Sequence, residues 1–414
     1  GVAFAALLRH LRRPGLEVTL LERETHEAWQ TRRSYPVGLW APACAVLNGL
    51  GVETVGPYCE AVPGGCYTNR AGRVLAEPSP EVLWQGGSDC TGVAALRFFS
   101  NEAKLLEKVA AAQGVPIEFG WSCVRDGVAS PRSGHLRLEG AGGVSRILDA
   151  DLVVDASGGS GPLLEAGDDT PPQGRGYVVY RGVSEAALPP CFPSLAFQAW
   201  GSGCRFAAVP LPQGSVWYAT FSSEHPLAAA VAPPAMGEGP ESDATAHLPE
   251  LRQAFEAWHA PIGELLAATS QAHVREAMGS SFPWRPPLRG RGRKVRIGDA
   301  AYMYDPILAV GAGEAILDAA ELASLLQQRV EQALDGNGAP GGLGLVTNEE
   351  HLDGIWAELA GLRHRRCQGL AALSNLAQAL GQTRWCSLRD AAAAACPSAI
   401  RRAVFDWSIR RLAQ

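Results

Sequence analysis

The chain has 414 residues, enough to bury a substantial core and to divide into two subdomains. Its formal net charge of −6 and pI near 5.9 argue against a nucleic-acid partner. The apolar runs all break well before 18 residues, which excludes a membrane-spanning helix and points to a soluble intracellular chain.

In chain order, residues 2–12 read as a helix, with Val2, Phe4, Leu7, Leu8 and Leu11 crowded along it, and Pro14-Gly15 stops it. Residues 16–21 read as a strand ending at Glu22. A helix, a tight turn and a strand ending in an acid form the back half of a dinucleotide-binding βαβ unit. There the pyrophosphate rests on the helix N-terminus and the acid takes the ribose hydroxyls. Gly1 stands where the last glycine of GxGxxG belongs, about 20 residues before that acid. The strand and glycines preceding it are missing, as expected of an incomplete sequence or of a processed chain with a damaged adenosine site.

Arg32 and Arg33 precede Tyr35-Pro-Val-Gly38-Leu-Trp-Ala-Pro42, and a helix is predicted over 43–50, closed by Gly51. Residues 57–92 read as short strands and turns, and Arg97 precedes a helix over 101–113. Residues 116–155 alternate as strands, the last running into Asp155-Ala156-Ser157-Gly158. Residues 176–285 read as an antiparallel sheet in which Trp200, Phe206, Trp217, Tyr218 and Phe221 line or back a pocket. A Pro/Ala/Gly-rich loop is expected over 226–246; His225 beside it is read as a surface or satisfied residue ahead of a base.

The densest information lies in 298–323, GDAAYMYDPILAVGAGEAILDAAELA. A strand over 294–297 ends at Gly298-Asp299, a loop carries Pro306, Gly311 and Gly313, and an alanine-rich helix opens near Glu314. Glycines without Cβ atoms admit a flat polar group to the backbone. Asp299 offers a carboxylate to a hydroxyl, and the helix turns its positive end toward whatever the loop covers. A glycine-rich linker over 335–347, a long amphipathic helix over 349–380 and closing helices within 388–412 follow. The basic clusters at 285–296 and 362–366 read as solvated faces. The ten cysteines show neither CxxC nor zinc spacing and read as buried small apolar residues, with a local Cys59–Cys66 bridge left open.

The 298–323 segment resembles the second FAD-binding signature of the FAD-dependent monooxygenases of the para-hydroxybenzoate hydroxylase-like (group A flavoprotein) superfamily. The likeness continues in order along nearly the whole chain. It implies an α/β fold with α+β elements: a Rossmann-like FAD-binding domain, an inserted antiparallel-sheet substrate domain and C-terminal helices. The corresponding boundaries are 1–56, 93–175 and 286–334 for FAD binding, 57–92 for a β insertion, 176–285 for the substrate domain and 335–414 for linker and closing helices. By the resemblance Asp299 binds a ribityl hydroxyl, and Pro306, Gly311 and Gly313 run along the flavin ring. Arg33, with Arg32 close behind, reaches the pyrophosphate; Arg97 contacts the flavin; Gly1 and Glu22 serve the adenosine end.

Some positions depart. Tyr302 stands where the family favours His and Glu314 where it favours Asn, and a carboxylate there opposes negative charge on the flavin unless it turns away to solvent. Ser157 replaces the acid of the family's Ala-Asp-Gly turn, and Pro162-Leu163-Leu164 stand where its Arg follows, which weakens NAD(P)H-driven turnover more than the fold. There is no Trp-x-Trp signature of a halogenase, and no metal set. The resemblance implies hydroxylation or epoxidation of a small aromatic or isoprenoid-like substrate by a flavin C4a-peroxide, with FAD as cofactor and NAD(P)H as reductant. It names no catalytic residue. The alternative is a degenerate flavoprotein fold kept as a non-catalytic subunit of a larger assembly.

Overall fold

The computed structural model describes residues 1–62, 64–78, 96–124, 134–159, 173–188, 196–230, 242–279, 289–337 and 349–413. Its first helix, Val2–His10, is shared between two cores. Ala3 and Phe4 pack with Val295, Ile297, Leu322 and Trp356, whereas Ala5 and Ala6 pack with Leu39, Leu47, Leu105 and Val109. Two neighbouring pairs of small or apolar residues on a 3.6-residue repeat present both faces, so this helix is packed on two sides at once.

Around it lie short parallel pairs. Leu20–Glu22 runs parallel to Ile117–Phe119, and Val153–Asp155 runs parallel to Lys294–Arg296. A three-stranded antiparallel unit, Val37–Trp40, Leu96–Phe99 and Cys59–Val62, bridges to the other half. The predicted helices form with shifted ends: Ala41–Gly49, Glu102–Ala112 with Asn101 capping the Lys104 N–H, and Glu349–Gln382. The helix expected from Glu314 opens earlier and runs Gly311–Asn337. The Asn101 cap supplies a partner for a backbone donor that the helix cannot satisfy itself.

An eight-stranded sheet forms the other half, with Ser242–Asp243 at one edge and Val74–Ala76 at the other. Its central strands are Gln173–Ser184, Ser215–Ser222, Cys204–Pro210 and Ala196–Trp200, antiparallel to one another in that order. The sheet then continues into Gly65–Asn69, which pairs parallel with Ala196–Trp200. The 65–76 strands therefore extend this sheet.

Side chains alternate strictly across it. Tyr180, Phe197, Phe206, Trp217 and Phe221 enter one core beneath Leu248–Phe255 and Ile262–Ala267. Of the aromatics expected to line or back a pocket, Phe206, Trp217 and Phe221 thus stand behind the sheet, on its far face. His225 caps the short helix Pro226–Ala229, its Nδ1 accepting from the Leu227 N–H at 3.2 Å. All eight described cysteines are free, Cys59 and Cys66 included; Cys90 and Cys191 lie outside the described residues, as do Pro162-Leu163-Leu164 and most of the expected 226–246 and 335–347 stretches. No described helix is long and apolar enough to cross a membrane.

Candidate active site

A cavity of about 2290 Å³ runs from Gly1 and Glu22 past Arg33 and Asp299 to the inner face of the large sheet. The two acids singled out from sequence, 277 positions apart by their numbers, therefore open onto one continuous space. At the first end Arg33, Asp155 and Glu22 cluster around Gly1. Glu22 accepts the Glu24 N–H at 3.2 Å. Arg33 pairs with Glu102 in the first turn of Glu102–Ala112, while its Nε is buried without a partner among the described residues. Ser157 is committed to Asp155: its N–H and hydroxyl reach Asp155 Oδ1 at 2.9 and 2.5 Å.

The turn at Gly298 shapes the second end. Gly298 has φ +60°, and a Cβ there would stand 2.9 Å from the Ala315 Cβ. Backbone conformation and helix contact each demand glycine. The next residue, Asp299, lies against the cavity, and a Cβ on Gly311 would come within 3.7 Å of its Oδ1. Burial pushes the Asp299 carboxyl up to about 6, with Arg275 opposing the rise and Asp318 and Glu102 adding to it. No donor among the described residues bonds this carboxylate, so a hydroxyl donor entering the cavity would complete it. That half-buried carboxylate, facing the cavity without a donor of its own in a glycine-sided cradle, fits a polyol chain such as the ribityl group of FAD.

Pro306 and Gly311 also line the cavity. The Pro306–Leu308 turn is held from both halves: Trp40 Nε1 donates to the Leu308 carbonyl at 3.2 Å, and Gln198 Nε2 donates to the Ile307 carbonyl at 3.3 Å. Gly313 is placed differently. It faces Ala43 of the neighbouring helix, where a Cβ would meet Ala43 Cβ at 3.7 Å, outside the cavity wall. Arg97 is also off the wall, buried on the face of its strand opposite Leu96 and Phe98, with no partner for its Nε among the described residues.

Glu314 turns away from the cavity into buried charge. Its carboxylate meets Arg363 at 2.5 Å and Arg366 at 2.7 Å, both on the long C-terminal helix. One turn on, Asp318 takes Arg289 at 2.5 Å and Arg363 Nε at 2.6 Å. The basic clusters read as solvated faces thus send Arg289 and Arg363 inward, because these two acids await them there. Tyr302, where a histidine was expected, is buried with Tyr304 against Leu370 and Leu412.

The sheet face that closes the cavity is polar as well as aromatic. Arg181, Tyr218, Ala207, Gln198 and Tyr67 are successive cross-strand neighbours in one row. Arg205 lies two residues before Ala207 on the same face, only 4% exposed. The sequence reading missed Arg205, Gln198 and the ion cluster. Strict alternation in Cys204–Pro210 opposes Arg205 to Phe206 and was the available signal for the first; nothing local announces the cluster, whose members come from three separate segments.

No protein-family model matches the chain. Among curated proteins, the aurachin C monooxygenase/isomerase of Stigmatella aurantiaca is 27% identical over 337 residues, 80% of each chain. The 3-amino-4-hydroxybenzoate 2-monooxygenase of Streptomyces cremeus is 29% identical over 217 residues, about half of each chain (51% and 49%). Among solved structures, Klebsiella pneumoniae HpxO complexed with FAD and uric acid superposes with a TM-score of 0.68 at 17% identity, covering 100% of this chain and 94% of that one. A salicylate hydroxylase substrate complex gives 0.64 at 18% identity, covering 100% and 95%. At such identities these superpositions establish the fold.

Proposed function

We propose that this chain, which belongs to the FAD-dependent monooxygenases of the para-hydroxybenzoate hydroxylase-like superfamily, inserts one oxygen atom of dioxygen into a small aromatic or isoprenoid-like molecule. The second oxygen leaves as water, with two electrons from NAD(P)H. The relatives support this reading over a non-catalytic subunit, since the names they carry are those of monooxygenases, acting in one case on an aminohydroxybenzoate and in another on 6-hydroxynicotinate.

The observation that carries the reading is the single cavity joining Glu22 to Asp299 and the sheet. Gly1 and Glu22 would hold the adenosine end, Arg33 the pyrophosphate and Asp299 a ribityl hydroxyl, with Pro306 and Gly311 along the ring. Gly313 and Arg97 would support that wall from behind. Bound and reduced, FAD supplies dioxygen activation. The chain's own part is to bind, orient and exclude water. The N-terminus of Gly311–Asn337 favours negative charge beside it, and Glu314, neutralised by two arginines, does not oppose this. The test is FAD titration of the chain followed by NAD(P)H-dependent oxygen uptake with 3-amino-4-hydroxybenzoate, 6-hydroxynicotinate and aurachin C. Uptake of FAD with substrate-stimulated oxygen consumption is expected; a chain that takes up no FAD would overturn the reading.

A further inference from the structure

Large apolar side chains left in water gather at the C-terminal end of the chain. Trp385 and Leu388 stand exposed at the start of Cys386–Ala395, and Ile400, Val404 and Trp407 on Ser398–Ala413. Trp385 is 76% exposed and Trp407 56%, and they are the only exposed tryptophans among the described residues.

The two helices turn their polar anchors inward. Nothing in Cys386–Ala395 is buried. Its Arg389 donates to the Trp200 carbonyl at 3.0 Å, and Asp390 accepts from Asn69 Nδ2 at 2.9 Å. Leu388, Ala391, Ala392 and Ala395 are left on the exposed side. Ser398–Ala413 carries two apolar stripes. Phe405, Ile409 and Leu412 form the inner one and line the large cavity. Ile400, Val404 and Trp407 form the outer one, at the i, i+4, i+7 spacing of one helix face. Both helices are fastened to one hairpin at the edge of the large sheet. Arg73 donates to the Asp390 carbonyl, and Arg401 to the Val74 and Leu75 carbonyls, each at 3.0 Å. An exposed apolar surface held this firmly marks a place that something covers.

Charge identifies the cover. In a chain of net charge −6, residues 384–414 carry six arginines and two aspartates. Arg401 and Arg402 turn to the hairpin and to Glu77. Arg410 and Arg411 stay exposed beside the outer stripe, with Arg411 Cζ 5.6 Å from the centre of the Trp407 ring. A second copy seated on this face would set these arginines against their own counterparts. An anionic bilayer answers both features, since indole and aliphatic side chains enter the headgroup boundary while arginines meet lipid phosphates.

We infer that the outer face of the two C-terminal helices docks on an anionic lipid bilayer, lying on it without crossing it. Ile400, Val404 and Trp407 enter the boundary, and Arg410 and Arg411 rest on the phosphates. The inference is independent of the flavin reading. It has a consequence for access: Phe405, Ile409 and Leu412 lie on the other side of the same helix, so docking sets the cavity wall one helix diameter, about 10 Å, from lipid.

The test is flotation of the full chain with vesicles of pure phosphatidylcholine and of phosphatidylcholine with about one-third phosphatidylglycerol, at low and high salt. Binding to the mixed vesicles is expected to be at least tenfold tighter and to weaken with salt. Val404→Gln with Trp407→Gln should lower it at least tenfold, and Arg410→Gln with Arg411→Gln should remove most of the preference for anionic lipid. Ile147→Gln, at an equally exposed position on Ser145–Asp149, should change nothing. No flotation with mixed vesicles, or flotation untouched by the Val404 and Trp407 pair, overturns the inference. Sedimentation of the chain alone supplies the rival outcome. A dimer that the same pair dissociates, without vesicle binding, assigns the face to a second copy and also overturns it. Should that pair fail to fold, Ile400→Gln takes its place, with the same loss expected in direction and an unchanged affinity counting against the inference.

Discussion

Asp318 Oδ2 accepts the Gly298 N–H at 2.9 Å, so the turn that presents Asp299 is fastened from inside the helix lying over it. The same carboxylate is held by Arg289 and Arg363, and Arg363 also holds Glu314. The position of Asp299 is thereby tied to a C-terminal helix more than 40 residues beyond the turn, through side chains that never touch the cavity.

Removing one member of that cluster leaves charge buried without a partner, which costs more than the intact pair contributes. Arg363→Met strands part of both Glu314 and Asp318 and is expected to lower unfolding stability by about 3–5 kcal/mol. Arg366→Met leaves Glu314 its bond to Arg363 and is expected to cost about 1–2 kcal/mol, in keeping with its partial exposure. Urea denaturation of the two variants measures the difference; equal losses would show that Arg363 does not bridge the two acids.

Gly298→Ala tests the turn itself. The new methyl meets Ala315 Cβ at 2.9 Å while φ is held at +60°, so strain and overlap act together. The expected loss is about 2–4 kcal/mol, combining a left-handed non-glycine residue with local overpacking. FAD affinity should fall as well, because Asp299 shifts with the turn. Gly263→Ala, inside the short helix Ile262–Ala267 where a Cβ meets nothing within 4 Å, is the control: it should leave FAD affinity unchanged and raise stability by about 0.4–1 kcal/mol.

The parts of the site that could be read from the sequence are those where one residue type answers a local demand. Gly298-Asp299 sits at a strand end, Pro306 opens a turn, and the 2–10 helix shows its apolar periodicity directly. Glycine alone was a poorer guide: Gly311 borders the cavity while Gly313, two residues on, packs against Ala43. Arg97 resembled a cofactor contact because it precedes a helix, yet the pleat of Leu96–Phe99 turns it away from the wall occupied by Leu96 and Phe98. Arginines 289, 363 and 366 looked like solvent-facing charge because their acid partners are distant in the chain. Pairing across 29, 45 and 52 positions leaves no spacing to read.

Asp299 carries a pH dependence with a defined sign. Its folded pKa is about 6 against an ordinary 3.8, so between these values the folded chain retains a proton that the unfolded chain has lost. Its contribution to stability is fully present below pH 3.8 and is lost as pH rises through about 6, a change of about 2–3 kcal/mol at 1.36 kcal/mol per unit. Asp299→Asn should remove this component and be more stable than the parent at pH 7.5 in the absence of ligand. FAD affinity should behave oppositely, rising as the carboxylate ionises, since a hydroxyl donates best to the anion. Denaturation and FAD titration between pH 4.5 and 8 measure both; parallel pH profiles for the parent and Asp299→Asn would contradict the assignment.

Ala207 separates binding of the cofactor from binding of the substrate. It lies between Tyr218 and Gln198 on the cavity face, while its neighbours Phe206 and Ala208 belong to the core on the other side. Enlarging it therefore fills the chamber without displacing that core. Ala207→Leu adds three carbon atoms to the cavity face of the sheet and should weaken aromatic substrates at least tenfold. FAD affinity should stay within about twofold and stability within about 1 kcal/mol, because the added atoms enter empty space and not a packed interior. Ala208→Leu makes the complementary comparison: it overpacks the opposite face and should cost about 1–3 kcal/mol while leaving ligand affinity nearly unchanged. If the two substitutions affected ligand binding alike, the face of the sheet assigned to the substrate would be wrong, since alternation along Cys204–Pro210 allows only one of these alanines to meet it.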